Sequence, residues 1–88
     1  MIYEVITTDK FERAIKRLDR QVQRTIKSWI DKNLSGTNNP RRLGESLTAD
    51  LAGIWRYRIG DYRLLVEIHD DKLIIIAIGV GHRSNVYR

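Results

Sequence analysis

The last third of the chain alternates apolar and polar side chains with a period of two, which is the pattern of β-strands. In WRYRI, residues 55–59, aromatic and aliphatic side chains alternate with arginines. Gly60-Asp61 predicts a tight turn into a second strand over residues 62–69. The run LIIIAIGV, residues 73–80, follows the next turn and is apolar on both faces, which is typical of a central strand. This segment therefore predicts a three-stranded antiparallel meander.

The first part of the chain has a different period. Residues 2–7, IYEVIT, are good strand formers and predict a short opening strand. The apolar residues that follow are spaced as in a helix, and Asp9 and Glu12 resemble a capping box with Asp9 as the cap. A second helical stripe begins near Asp19 and ends before Gly36, which suits a C-terminal cap. Two short helices with almost no linker predict an antiparallel hairpin.

Residues 35–53 form a connector with no sustained period, and they contain the only proline of the chain. We expect a helical turn near Glu45, and such long connectors are often functional. The predicted fold class is α+β: a strand, a helical hairpin and a meander in one curved sheet, with helices on one face. The opening strand is expected to pair beside the last strand. We expect residues 1–88 to form a single domain.

Composition limits the classes of function. Sixteen Lys and Arg against eleven Asp and Glu give a net charge of +5, which favours an anionic macromolecular partner. The chain has no cysteine, which excludes disulfides, thiolate zinc sites and cysteine nucleophiles. The histidines and carboxylates have no metal-ligand spacing, so we expect neither a metal nor a cofactor. No signal peptide or membrane-spanning run is visible, and a cytoplasmic location is expected.

Three arginines are predicted to share the face of the sheet opposite the helices. Period two places Arg56, Arg58 and Arg63 there, and Arg56 and Arg58 lie about 7 Å apart along their strand. Arg83 follows the last strand and is expected to join them. Only Glu67 is expected near enough on that face to neutralise them. The plain alternative is that alternating arginines keep a strand soluble and prevent edge pairing. Their convergence favours an anion-binding surface instead.

Other polar and aromatic residues are weaker candidates. His82 is the side chain best placed to exchange a proton near neutral pH, or it is a surface histidine at a strand end. Tyr87 is either a hydrophobic plug for the sheet edge or an aromatic platform for a base. Arg41 and Arg42 are solvated or contact phosphate. His69 is expected to be a surface residue.

The run from Pro40 to Leu47, then GIWRYRIGDYRLL, an apolar strand and GHRSNVYR resembles the RelE/ParE toxin superfamily, and more closely its RelE-type messenger-RNA interferases. The resemblance covers essentially the whole chain. WRYRIGDYR and VGHRSNVYR are its most specific parts.

This resemblance implies a toxin that enters the ribosomal A site and cuts messenger RNA without a metal. The ribose 2′-OH attacks the adjacent phosphate and leaves a 2′,3′-cyclic phosphate and a 5′-OH. By the same resemblance, Arg56 and Arg58 occupy basic positions, and Arg63 contacts the scissile phosphate. Arg83 stabilises the transition state or protonates the leaving group, and Tyr87 stacks on a nucleotide.

The general base stays open at this point. Arginine does not readily give up its proton, so Arg56 and Arg58 are poor bases where other members have lysine. His82, Glu67 or no side chain at all are the alternatives, and we expect His82 to handle a proton.

The resemblance also implies partners: a RelB-like antitoxin, the 70S ribosome with its mRNA, and operator DNA only through the antitoxin complex. No membrane partner is expected. One alternative is a ParE-like protein of the same fold that binds and poisons DNA gyrase without catalysis. Another is a basic domain that has lost activity and serves only in complex formation. The set Arg63, Arg83 and Tyr87 favours the ribonuclease.

Overall fold

The computed structural model describes residues 1–48, 51 and 53–86. Its helices are α1 (Asp9–Lys16) and α2 (Arg20–Asn33), and a 3₁₀ turn covers Pro40–Arg42. Its strands are β1 (Glu4–Thr7), β2 (Glu45–Ser46), β3 (Trp55–Ile59), β4 (Tyr62–His69) and β5 (Ile74–His82). Within these residues no helix is long and apolar enough to cross a membrane.

The strands form one five-stranded sheet in the order β1-β5-β4-β3-β2. β1 is parallel to β5, and the other neighbours are antiparallel. The predicted α+β class, the meander and the position of the opening strand beside the last strand are therefore confirmed. β5 lies between β1 and β4, as its apolar sequence predicted for a central strand.

The connector differs from its prediction. The helical turn lies at Pro40–Arg42, because Pro40 has the backbone dihedral of a first helical residue and the Asn39 side chain accepts from the Arg41 amide. Glu45 was expected near a helical turn, but it lies in the short strand β2 and pairs with Arg56. The sheet therefore has one more strand than the sequence predicted.

The start of α1 also corrects the sequence analysis. Thr8, not Asp9, is the N-cap, and its hydroxyl accepts from the Phe11 amide at 3.1 Å. Asp9 is the first helical residue, where its negative charge complements the helix dipole. The Thr8 hydroxyl also donates to the Ala77 carbonyl of β5 at 3.0 Å. The Thr8 side chain thus caps α1 directly after β1 and links this junction to the central strand β5.

The core lies between the helices and one face of the sheet. Tyr57, Leu64, Val66 and Ile75 from the three central strands are fully buried there. Helix residues that complete the core include Phe11, Ile15, Ile26 and Ile30. On the opposite face the arginines replace apolar residues, so the pleat of β3 and β4 separates core from solvent.

Leu65 is an exception on that opposite face. It pairs with Arg56, as alternation predicted, yet it is only 8% exposed. A register shift between Leu65 and Val66 leaves Ile78 as an additional residue on β5, which is a β-bulge. The bulge places Gly79 opposite Leu65, and an added Cβ at Gly79 would lie 3.8 Å from Leu65 Cδ1, within ordinary van der Waals contact.

Aromatic residues of β3 hold the connector against the edge of the sheet. The Tyr57 hydroxyl donates to the Pro40 carbonyl, and the Trp55 indole donates to the Leu43 carbonyl at 2.8 Å. Gly44 follows with a φ of 82° and lies against the Arg56 carbonyl, where a Cβ atom would collide. These contacts determine where the next residue, Glu45, begins β2.

Candidate functional site

Arg58 and Arg63 lie directly opposite each other on β3 and β4, and Arg56 lies one pleat along β3. We call the surface formed by Arg56, Arg58 and Arg63 the arginine face. Residues paired in this way have Cβ atoms about 5 Å apart. The side chain of Arg58 is 65% exposed, whereas that of Arg56 is 19% exposed, so Arg58 is the more accessible to an incoming anion. The predicted clustering of the three arginines is present.

Glu45 of β2 is an acidic residue that contacts this surface. Its Oε1 accepts from Arg56 Nη2 and from Arg58 Nη2, the latter at 3.1 Å. The hydrogen bond from Arg56, followed by the charges of both arginines, lowers the pKa of the Glu45 carboxyl. Glu45 is therefore an ionised acceptor at neutral pH.

Glu67 was expected to be this neutralising residue, and that expectation was wrong. It contacts His69 Nε2 at 3.0 Å on its own strand. Glu45 was missed because it lies in a connector without periodicity. The available signal was Gly44, because a glycine before a short polar segment permits close approach to a strand.

Arg63 is fixed by the turn between β3 and β4. Its Nη1 donates to the Gly60 carbonyl and to the Tyr62 carbonyl, both at 2.8 Å. These carbonyls hold the guanidinium near the end of the hairpin and leave further N–H groups of its fork for a ligand.

The tail after β5 leads Arg83 to the same end of the hairpin. The Arg83 amide donates to the Asp61 carbonyl at 2.8 Å, within the turn that also holds Arg63. Arg83 itself is exposed. Tyr87, the predicted stacking residue, lies outside the described residues.

His82 lies on the other side of the strand from the arginine face. It pairs with Tyr62, which packs against the core, and the two rings meet edge to face with centroids 5.6 Å apart. Its Nδ1 lies 2.8 Å from the Ser84 hydroxyl. The strand register therefore places His82 and Arg63 on opposite faces of the sheet, although they lie on adjacent strands.

Arg41 and Arg42 are not brought to the arginine face. Arg41 Nη1 lies 2.9 Å from Asp70 Oδ1, and its guanidinium lies 5.9 Å from the Trp55 ring centroid. Tyr3 donates a second hydrogen bond to the same Asp70 oxygen at 2.6 Å. Arg41 thus connects the 3₁₀ turn to the β4–β5 turn, and Arg42 is exposed beside it.

Two depressions flank the sheet. A cleft of 480 Å³ lies at the β2–β3 edge and is lined by Trp29, Leu43, Gly44, Glu45, Tyr57 and Arg58. A larger hollow of 640 Å³ lies between α1 and the end of β5, with Lys10, Arg13 and Arg17 on its helix side. In the part of the chain that the structure describes, no cluster of three or more His, Cys, Asp or Glu residues has the geometry for a metal ion.

Together these features define a small α+β protein with a cation-rich, solvent-accessible sheet face. Residues 5–87 match the family model described as the ParE toxin of the type II toxin–antitoxin system parDE. Toxin RelG of Mycobacterium tuberculosis is 32% identical over 88 residues, covering 100% of this chain and 99% of the relative. Toxin RelE of the same organism is 34% identical over 86 residues, covering 98% of this chain and 87% of the relative.

A solved structure agrees with these relatives. In the crystal structure of the toxin–antitoxin complex RelBE2 from M. tuberculosis, one chain matches with a TM-score of 0.85 and 30% identity, over 94% of this chain and 100% of that chain. The chain therefore belongs to the RelE/ParE superfamily of type II toxin–antitoxin toxins.

Proposed function

We propose that this toxin is a ribosome-dependent endoribonuclease that cuts messenger RNA in the A site without a metal. The observation that carries the proposal is the placement of Arg58 opposite Arg63, with Arg56 and the Glu45 carboxylate beside them on one exposed face. An RNA phosphate between these guanidiniums relieves their repulsion and receives charge-assisted hydrogen bonds. The names of the curated relatives, RelG and RelE, favour the same reading.

The proposed reaction is attack of a ribose 2′-oxygen on the adjacent phosphorus. The O2′–P bond forms, the P–O5′ bond breaks, and the products are a 2′,3′-cyclic phosphate and a 5′-OH. Arg63 and Arg83 stabilise the charge that builds on the phosphorane, since the Arg63 guanidinium and the Arg83 backbone amide both bond to the β3–β4 turn. Arg56 and Arg58 hold the phosphate.

Glu45 is proposed as the group that accepts the 2′-OH proton. It is ionised, it lies beside the arginines that bind phosphate, and an arginine cannot serve as the base. His82 remains a candidate for proton transfer to the leaving oxygen, but its ring contacts Tyr62 and does not lie on the arginine face. Tyr87 is proposed to stack on a nucleotide. Arg41 and Arg42 are proposed to contact RNA outside the cleavage site.

The proposed protein partner is a RelB-like antitoxin, and operator DNA is reached only through that complex. The related M. tuberculosis chain is in a toxin–antitoxin complex. The hollow beside α1 suits an acidic, partly apolar segment, because Lys10, Arg13 and Arg17 border apolar Leu18 and Val80. Reversing the charges of Arg13 and Arg17 is expected to weaken co-purification with the protein encoded by the adjacent gene. Reversing the exposed Lys27 and Lys32 of α2 is the matched control.

A ParE-like role as a non-catalytic DNA gyrase inhibitor is the second candidate, because the matching family model is the ParE toxin model. Induction of the chain in cells followed by primer extension on abundant messages separates the two functions. In-frame cuts within coding sequences support the ribonuclease. Intact messages accompanied by DNA damage refute the ribonuclease and favour gyrase poisoning.

A further inference from the structure

The cleft at the β2–β3 edge exists because β2 is only two residues long. β2 pairs with Trp55 and Arg56, so among the described residues no strand lies beside the rest of that edge of β3. Gly44 would be the next residue opposite Tyr57, and it lies so close to β3 that a Cβ atom would collide with the Arg56 carbonyl. The result is a cleft of 480 Å³, within the roughly 300–1,000 Å³ typical of small-molecule sites.

The walls of the cleft combine an aromatic ring with polar groups at the rim. Trp29 of α2 is half-buried, and its ring lies 5.2 Å from that of the buried Tyr57 at an angle of 53°. Leu43 adds an apolar wall. Glu45 and Arg58 form the rim, 3.1 Å apart.

The same two rim residues belong to the surface that binds phosphate in the proposed function. The cleft is therefore continuous with the arginine face. When the phosphate of a nucleotide lies on Arg56 and Arg63, the base of that nucleotide lies to one side of these two arginines. A ribose near Glu45 connects the two positions. The base attached to that ribose is the group nearest to the Trp29 wall.

We propose that this cleft binds a purine base, namely that of the nucleotide whose 2′-OH attacks the phosphate. The base stacks on Trp29, and Arg58 donates to the purine acceptors at the rim. This inference rests on the proposed function, because that function supplies the nucleotide and its orientation. It assigns to Trp29 and Leu43 a role in choosing the cut site, and it assigns a base-binding role to Arg58 in addition to phosphate binding.

The direct test is an NMR titration of the full chain with guanosine 3′-monophosphate (GMP), uridine 3′-monophosphate (UMP) and ribose 3-phosphate, because the scissile phosphate is attached to the 3′ oxygen of the ribose whose 2′-OH attacks. GMP is expected to bind about five- to a hundredfold more tightly than ribose 3-phosphate, which is the range that base stacking on an aromatic ring provides. UMP is expected to fall between them, and GMP is expected to shift the indole N–H signal of Trp29. Equal binding of all three ligands, or a Trp29 signal that GMP does not move, overturns the proposal.

Two variants sharpen the test. Trp29→Leu removes the aromatic ring and is expected to make GMP bind no better than ribose 3-phosphate, whereas Trp29→Phe retains most of the difference. The amide spectrum of each variant establishes that it is folded, and the wild-type titration stands independently of both. The titration contains no ribosome, so it tests the cleft separately from cleavage. If message is cut in cells but GMP does not shift the Trp29 signal, only the cleft proposal is refuted. Intact message with a responding Trp29 refutes only the ribonuclease.

Discussion

Arg58 and Arg63 lie directly opposite each other on antiparallel strands, and both project from the face of the sheet that faces away from the helices. Like charges directly opposite on neighbouring strands destabilise a sheet. The chain offsets this repulsion locally, because Glu45 contacts Arg58 and two backbone carbonyls accept from Arg63. The pairing of Arg58 with Arg63 costs stability in the absence of a ligand. An anion between the two guanidiniums would remove that cost.

Arg63→Ala should weaken RNA binding in a way that depends on salt. Each phosphate contact that is lost reduces the slope of log K against log salt concentration by about 0.7 for a single strand. Titration of an unstructured RNA at several salt concentrations measures that slope. Arg24→Ala removes the same charge from the exposed surface of α2 and should leave the slope unchanged. Equal effects of the two substitutions would mean that net charge alone governs binding.

Glu45→Gln separates catalysis from binding. The substitution removes the negative charge that contacts Arg56 and Arg58, so RNA affinity should rise or stay the same. Loss of the proposed base should reduce the cleavage rate about 10²- to 10⁴-fold. Glu67→Gln is the matched control, because Glu67 contacts His69 and not these arginines. Faster cleavage by Glu45→Gln would show that Glu45 only restrains the arginines.

Gly44→Ala tests whether the connector must approach β3 closely. Gly44 and Gly36 both have positive φ, 82° and 76°, but an added Cβ contacts nothing at Gly36. At Gly44 it would collide with the Arg56 carbonyl and lie 2.6 Å from Trp55 Nε1. Gly36→Ala should therefore cost about 1–2 kcal/mol of unfolding free energy, which is the penalty of the left-handed conformation. Gly44→Ala should cost more, measured by urea denaturation, and should impair cleavage by displacing Glu45.

Asp70 should make the stability of the fold depend on pH in the acid range. Hydrogen bonds from Arg41 and then Tyr3 lower the pKa of the folded Asp70 carboxyl. Its contribution is therefore fully present above the unfolded pKa of about 3.9, and it is lost as the pH falls through the lower, folded value. Asp70→Asn should reduce the unfolding free energy at pH 7, with the difference from wild type disappearing in strong acid.

Asp71→Asn provides the control for this prediction, because it changes the same charge one residue further on and leaves the contacts of Asp70 with Arg41 and Tyr3 intact. Urea denaturation at a series of pH values measures both variants. A difference between Asp70→Asn and wild type that persists unchanged in strong acid would contradict the account.

The sequence predicted those parts of the fold that depend on local periodicity. Alternation along β3 and β4 correctly placed Arg56, Arg58 and Arg63 on one face, and the apolar composition of β5 correctly predicted a central strand. The residue patterns also carried the resemblance to the RelE/ParE superfamily. These features are encoded by residues that are near one another along the chain.

Features that depend on contacts between distant segments could not be predicted. Glu45 reaches the arginines because Trp55 and Tyr57 donate hydrogen bonds to the preceding residues of the connector. Such long-range hydrogen bonds leave no periodic pattern in the sequence. His82 is adjacent to Arg83 in sequence, but the register of β4 and β5 pairs it with Tyr62 on the other side. A β-bulge at Leu65 likewise depends on the pairing of two strands and not on either one alone.

The most direct test of the central claim is cleavage of a defined message on purified 70S ribosomes, with and without one 2′-deoxynucleotide immediately 5′ of the cut. We predict cleavage of the all-ribose message in the A-site codon, with a 2′,3′-cyclic phosphate at the new end. We also predict that the deoxy-substituted message stays intact at that position. Cleavage of both messages alike would contradict attack by the 2′-OH, and an intact all-ribose message would contradict the ribonuclease itself.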